Sequence, residues 1–446
     1  MILVEFVPPT PHPLWKLCPQ MGITDVIVKV NPDLTGLADP WRYETLSSIV
    51  ARLKSAGLNV VGLEGDPFDM SPIKEYGALD CISHVDQVEW NDAQHLETTL
   101  HVSTRSTRLN NPVNHVNPVK NKDDLREEAL AHYRELLESM ERLGIKLLCY
   151  NFMVGKGWSR TGVREGRGGA KATFFSLDKF LTGFTRFTGF KELGAMPPDT
   201  DNPVNPVNPV GKQNLIISHE QVWANYEYFI KSVMPTAEKL GIRMGLHPDD
   251  PCLPSLGGYA RIFGSVEAYD RAYAIYPSPS NAVTFCQANF KLMFTNGNCH
   301  DFSQMPNVAA ATGSLGVSEV TEIKKLQNSK TPSSESNANP VNPVKTLSAA
   351  ARHFGRRIAF IHVRDVEGTK EDFTELFHDQ GDVDQFALMR VYRELGLDVP
   401  LRGDHVPEMA YDRELTPEGT PGYFTLGRLF ANGYLKALLR GTDPVS

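Results

Sequence analysis

The stretch Arg243-Met-Gly-Leu-His247-Pro-Asp-Asp-Pro251 decides the fold. An apolar run opens just after Gly241, where a helical segment stops, and it reads as a buried β-strand. The run breaks at Pro248 with an imidazole and two carboxylates crowded at its end. Three later apolar runs finish in the same way: Ala282–Cys286, Ile358–His362 and Val399–Asp404. A parallel barrel gathers the carboxyl ends of its strands on one face, so donors far apart in sequence meet there.

Working outward, eight strands are expected: Ile2–Phe6, Val26–Val30, Asn59–Glu64, Lys146–Phe152, Arg243–His247, Val283–Cys286, Arg357–Val363 and Val399–Gly403. Amphipathic segments such as Leu46–Ala56, Leu125–Leu143 and Phe386–Leu395 lie between them at helical spacing. Ser218-His-Glu-Gln221 opens a further helix with a capping-box pattern, and Pro235 is expected to bend it. Gly57, Gly144, Gly241 and Gly396 each follow a helix and precede a strand, where a left-handed turn suits glycine. Alternating strands and helices imply a parallel sheet, and eight units imply closure. The expected fold is therefore α/β, a single (β/α)8 TIM barrel forming one catalytic domain over residues 1–446. An open doubly wound sheet is the alternative.

Three segments break the pattern. Asn-Pro-Val triplets recur within 110–120, 202–211 and 329–345. Proline fixes φ and removes a donor at every third residue, so neither helix nor interior strand is expected. These are read as low-complexity, disordered insertions in βα loops.

Composition narrows the class. The chain has 446 residues, 41% hydrophobic and 22% charged, with a formal net charge of −8, which describes a globular protein with a large core. That charge, without a long basic run, argues against nucleic acid as a partner. No run of about 18 apolar residues occurs, so no membrane association is expected. Six cysteines without regular spacing fit reduced thiols, and the expected location is cytoplasmic.

His247, Cys286, His362 and Asp404 together make a plausible shell for a divalent first-row transition metal. A thiolate and a carboxylate would nearly neutralise the ion, so an anionic substrate needs further cations. Arg364 lies two residues after His362, and Arg402 two before Asp404. Residues two apart on a strand share a face, so both guanidiniums are expected near the pocket.

With those residues in view, the chain resembles the metal-dependent mannonate dehydratases with a xylose-isomerase-like barrel. The matching stretches are Cys149–Met153, Trp158–Thr161, Met244–Pro251, Thr284–Cys286, Phe360–Arg364, Gly381–Asp384, Arg402–His405 and Thr420–Tyr423. The resemblance implies that His247, Cys286, His362 and Asp404 hold Mn2+ or Fe2+, and that His405 and Tyr423 are the acid–base pair. It further implies removal of water from D-mannonate to give 2-dehydro-3-deoxy-D-gluconate, a step of hexuronate catabolism, and a homo-oligomeric state. Arg364, Arg402, Asn151, Arg160 and Asp249 are the expected substrate-binding residues. Tyr423 is assigned proton abstraction and His405 donation, with the reverse left open. The chain departs from the family pattern at Glu64-Gly-Asp-Pro-Phe-Asp69, where a histidine is replaced by Asp69 or lost, and at Cys252, Asn289 and Phe290. Alternatives are a related sugar-acid dehydratase, a sugar isomerase or epimerase on the same barrel, or a catalytically silent sugar-acid-binding barrel.

Overall fold

The computed structural model describes residues 1–30, 39–78, 121–155, 157–187, 215–295, 343–417 and 419–443. Its main sheet runs through β1 (Ile2–Leu3), β2 (Glu5–Val7), β3 (Asp25–Lys29), β4 (Asn59–Glu64) and β5 (Leu147–Tyr150). It continues through β8 (Arg243–Leu246), β11 (Asn281–Cys286), β12 (Ile358–Val363) and β15 (Pro400–Gly403). Every pairing in it is parallel, in the order β1-β15-β12-β11-β8-β5-β4-β3-β2. β1 and β2 are two pieces of one run on either side of Val4, whose N–H donates to Leu401 O at 2.9 Å. One piece pairs with the last strand and the other with the next, so eight strands close into the expected barrel.

The strands sit where their patterns placed them, with no edge moved by more than two residues and Asn59–Glu64 unchanged. β11 and β12 are buried at every position. Helices cover their outer face while the lumen covers the inner one, so such strands read as continuous apolar runs. Ser218 caps the helix His219–Leu240 by accepting from Gln221 N, and the helix runs on through Pro235. It stops at Gly241, which takes the left-handed conformation (φ 62°) its position called for. In the strand that follows, Gly245 is needed for space: a Cβ there would lie 2.6 Å from Thr284 Oγ1 of the adjacent strand.

The Asn-Pro-Val segments 110–120 and 202–211 lie outside the described residues, as does most of 329–345. The end of the third is a correction: residues 343–345 open the helix Pro343–Phe354 instead of remaining irregular. Proline suits a first helical turn, where its fixed φ is pre-set and its missing N–H would have had no partner.

A short antiparallel pair, β9 (Ser255–Leu256) with β10 (Tyr259–Ala260), and a larger second sheet were not foreseen. In the larger sheet, β6 (Gly162–Glu165), β7 (Lys171–Ser176), β13 (Val366–Thr369) and β14 (Asp372–Glu375) pair antiparallel in the order β13-β14-β7-β6. β13 begins just beyond the end of β12, so this sheet caps the carboxyl-terminal mouth. Phe175, Phe373, Val366, Leu253 and Leu292 form its own apolar cluster. Lys171 and Glu408 exchange backbone hydrogen bonds at 2.9 and 2.8 Å, tying the cap to the segment after β15.

The seam of the barrel is clasped by charge. Glu5 of β2 is 2% exposed and accepts from Arg428 and Asn432 of the helix Thr425–Gly441. Removing one member of a buried pair strands the other, at a cost of about 3–5 kcal/mol. Arg428→Ala should therefore lower the urea midpoint strongly, and Glu5→Gln combined with Arg428→Met should recover part of the loss. Equal destabilisation by the single and double variants would show that the clasp does not work through charge.

Candidate metal centre and acid–base pair

Alternation along each strand builds the site from below. On β11, Ala282, Thr284 and Cys286 share a face; Ala282 helps to plug the lumen with Val4, Ile27, Leu147 and Phe360. Cys286 ends that series at the mouth. On β12 the same face carries Phe360 and His362, with Arg364 just beyond the strand, and from β15 onward it carries Arg402 and Asp404. His247 follows β8 directly.

The four residues converge: His247, Cys286, His362 and Asp404 each present a donor atom, all within 4.8 Å of one another. Each also leaves a donor free. His247 Nδ1 lies 2.7 Å from Pro248 O, and a carbonyl can only accept, so this nitrogen carries the proton and Nε2 keeps its lone pair. His362 is fully buried, yet neither ring nitrogen has a hydrogen-bond partner. Asp404 Oδ1 accepts from Arg402 Nη1 at 2.9 Å, leaving Oδ2 turned to His362. For Cys286, burial raises the thiol, but the imidazoles of His247 and His362 and the Arg364 guanidinium outweigh it and lower it from 9.0 to about 6. Buried nitrogens without partners beside an acidified thiol are what a site for a divalent first-row transition metal requires. The residues present fit a metal ion.

The acid–base candidates stand next to this group. His405 Nε2 is 2.8 Å from Tyr423 Oη, and its Nδ1 is 3.0 Å from Glu375 Oε1. Burial opposes ionisation of Glu375, but Arg364 and Arg160 overcome it and hold its carboxyl down from 4.5 to about 2. An ionised carboxylate only accepts, so Nδ1–H is assigned to the Glu375 side and Nε2 accepts the tyrosine hydroxyl. Burial first, and then the Asp404 charge, raise Tyr423 well above 10 and keep that hydroxyl protonated. His405 has a φ of 40°, which costs a non-glycine residue about 1–3 kcal/mol and is held by these contacts. Trp158 is 38% exposed and walls the pair, its ring 5.1 Å from that of His405.

The expected substrate residues are placed as follows. Arg364 donates to both oxygens of Glu375, to Asp250 Oδ2 and to Asn289 Oδ1. Arg160 grips Asp250 through both oxygens, reaches Glu375 at 2.6 Å and comes within 3.2 Å of His405 Nδ1. Arg402 donates to both oxygens of Glu64 and to Asp404. Asn151 Oδ1 accepts from the buried Lys74, which also pairs with Asp66 at 2.6 Å. Asp249 lies deeper, its Oδ2 accepting from Phe263 N, and does not contact the His–Tyr pair. Asp69 stands two residues before the short helix Ser71–Lys74, its carboxylate accepting from Ser71 N.

Sequence reasoning missed Glu375, Glu64 and Asp250 as partners of the three arginines. A signal for Glu375 was present: Glu165-Gly-Arg-Gly-Gly-Ala170 followed by Lys171-Ala-Thr-Phe-Phe175 is a glycine turn between short strand patterns. That hairpin announces the sheet whose last strand ends in Glu375.

An eight-stranded α/β barrel, with four convergent donors and a His–Tyr pair at its mouth, defines a barrel enzyme of proton-transfer chemistry beside a candidate metal centre. A family model for D-mannonate dehydratase matches residues 61–331 and 318–445, and the chain belongs to that family of hydro-lyases. The chain is 26% identical over 433 residues to a mannonate dehydratase of Brucella canis, covering 85% of this chain and 94% of the relative. It is likewise 26% identical over 319 residues to mannonate dehydratase 2 of Halalkalibacterium halodurans, covering 70% and 76%. The crystal structure of mannonate dehydratase from Streptococcus suis serotype 2 superposes with a TM-score of 0.61 at 20% identity, covering 99% of this chain and 95% of that one; this shows the shared fold.

Because Glu375 titrates below its ordinary range, its stabilising contribution is fully present above pH 4.5 and is lost as pH falls toward 2. Glu375→Gln should lower stability at pH 7 and flatten the further loss between pH 4.5 and 2, as read from urea midpoints. An unchanged acid slope in the variant would remove Glu375 from the acid response.

Proposed function

We propose that this chain removes water from D-mannonate, giving 2-dehydro-3-deoxy-D-gluconate, at the mouth of the barrel. The observation that carries the reading is the adjacency of the four convergent donors and the His405–Tyr423 pair. In this reading His247, Cys286, His362 and Asp404 hold one Mn2+ or Fe2+, a choice suited to two imidazoles, a thiolate and a carboxylate. Such an ion supplies Lewis acidity for the negative charge that develops when a proton leaves the carbon next to a carboxylate.

The protein's own groups do the rest. Glu375 fixes the His405 tautomer, so Nε2 takes the proton from carbon, and Tyr423 donates its phenolic proton to the departing hydroxyl. This reverses the roles favoured by the sequence, because the hydroxyl is held protonated and the imidazole lone pair faces it. Trp158 limits water at the pair. Arg160, Arg364 and Arg402 face Asp250, Glu375, Glu64 and Asp404, so three guanidiniums meet four carboxylates. With the Cys286 thiolate two negative charges are in excess, which a divalent ion balances. Arg160, beside His405, and Asn151, on the opposite rim with Lys74, are proposed to contact the sugar acid. Arg364, Arg402 and Asp249 support the reading by fixing the walls. The same reading places the protein in the cytoplasm as a homo-oligomer; among the described residues no helix is long and apolar enough to cross a membrane.

Incubation of the metal-loaded protein with D-mannonate should release a 2-keto-3-deoxy acid; an epimeric sugar acid without ketoacid would overturn the dehydratase reading. Elemental analysis should find about one divalent ion per chain, and Cys286→Ala should lose most of it; undiminished metal there would take Cys286 out of the shell. His405→Asn and Tyr423→Phe should each keep the metal while turnover falls by about 10² to 10⁴. Near wild-type ketoacid release by either variant would refute that residue's role.

A further inference from the structure

Two groups of metal-type donors share one residue. His247, Cys286, His362 and Asp404 form the first, and Glu64, Cys149 and His362 form the second. The His362 ring lies between them, with Nδ1 3.6 Å from Asp404 Oδ2 and Nε2 3.6 Å from Glu64 Oε2. The second group offers three donors against four, both Glu64 oxygens already accept from Arg402, at 3.1 and 2.6 Å, and burial raises the Cys149 thiol where the Cys286 thiol is lowered. The first group is therefore the better ion site, and Glu64 is open to another use.

An imidazole that ligates through one nitrogen carries its proton on the other, and whatever accepts that proton sets the tautomer and ring angle. With Nδ1 on the side of Asp404, the N–H is Nε2, and it faces the Glu64 carboxylate across 3.6 Å, longer than a hydrogen bond, so Glu64 acts on it by charge. The same carboxylate accepts from Arg402 Nε at 3.1 Å and Nη2 at 2.6 Å, while Arg402 Nη1 donates to Asp404 Oδ1. Glu64, Arg402, Asp404 and His362 thus close a ring of contacts. The strand order makes this a brace across the lumen: β4, which ends in Glu64, stands four strands from β12 in a barrel of eight. The four candidate ligands all come from the half built by β8, β11, β12 and β15.

We propose that Glu64 is a positioning residue that sets the tautomer of His362 directly and aims Asp404 through Arg402. It braces two of the four ligands from the opposite wall without touching ion or substrate. The inference rests on the metal-site reading above and extends it.

Cobalt(II) titration against a competing chelator, with the visible d–d and thiolate-to-cobalt bands recorded, tests both levels separately. Wild-type protein should bind about one cobalt per chain. Glu64→Ala should bind it about 10- to 100-fold more weakly, with shifted d–d bands. Glu64→Gln, which keeps a polar oxygen facing Nε2–H but loses the charge, should fall between the two. Equal affinities and superimposable spectra for all three would overturn the positioning role while leaving the metal site standing. A wild type that binds no cobalt would overturn the metal reading itself and this proposal with it. Should Glu64→Ala fail to fold, as judged by circular dichroism, Glu64→Gln decides: weaker binding supports the role and unchanged binding refutes it.

Discussion

Charge balance in a dry place governs the mouth of this barrel. A guanidinium or carboxylate taken from water costs several kcal/mol unless it is paired and hydrogen-bonded. Arg364 and Arg402 are at most 1% exposed, and so are Asp250 and Glu375. None of these could be buried alone. Asp250 and Glu375 are shared between Arg160 and Arg364, and Arg402 is shared between Glu64 and Asp404. The members come from the ends of β4, β8, β12, β14 and β15 and, for Arg160, from the segment just before β6, so the pairing fastens the antiparallel cap to the barrel as well as filling the pocket. The small negative excess is the part that chemistry can use.

The pairing also explains how rigid the reacting groups are. His405 sits in a backbone conformation that a non-glycine residue seldom takes, with its ring fixed by Glu375 on one side and Tyr423 on the other. Glu375 is itself clamped by two arginines. Each group that would move a proton is thus held by another already fixed, and less reorganisation remains for the reaction.

The barrel was legible because its signals are local. The run Ile358–Ile361 is apolar throughout, and the next position carries His362 in the register that faces the lumen. Two-residue alternation likewise placed Arg364 and Arg402 on the site face. What they touch was hidden, since Glu64 lies 338 residues from Arg402 in sequence. The antiparallel cap was hidden for another reason. Its strands are four to six residues long, and β6 is mostly exposed, so the apolar pattern that marks a barrel strand is missing there. Tyr423 and His405 were found through resemblance, because one tyrosine beyond a last strand carries no pattern of its own.

The clasp of Glu5 by Arg428 and Asn432 has a consequence for how the protein is made. β1 pairs with Pro400 and Leu401, and the Glu5 carboxylate meets its partners only in the helix that begins at Thr425. On the ribosome the opening strand must therefore wait, its edge unpaired, while some four hundred residues are added. Helix pairs such as Lys122–Arg142 against His219–Leu240 can pack earlier, but the curved sheet stays open. Vectorial synthesis thus leaves a growing half-barrel with exposed edges, the state in which parallel sheets are most prone to wrong pairing and in which a chaperone has most to do.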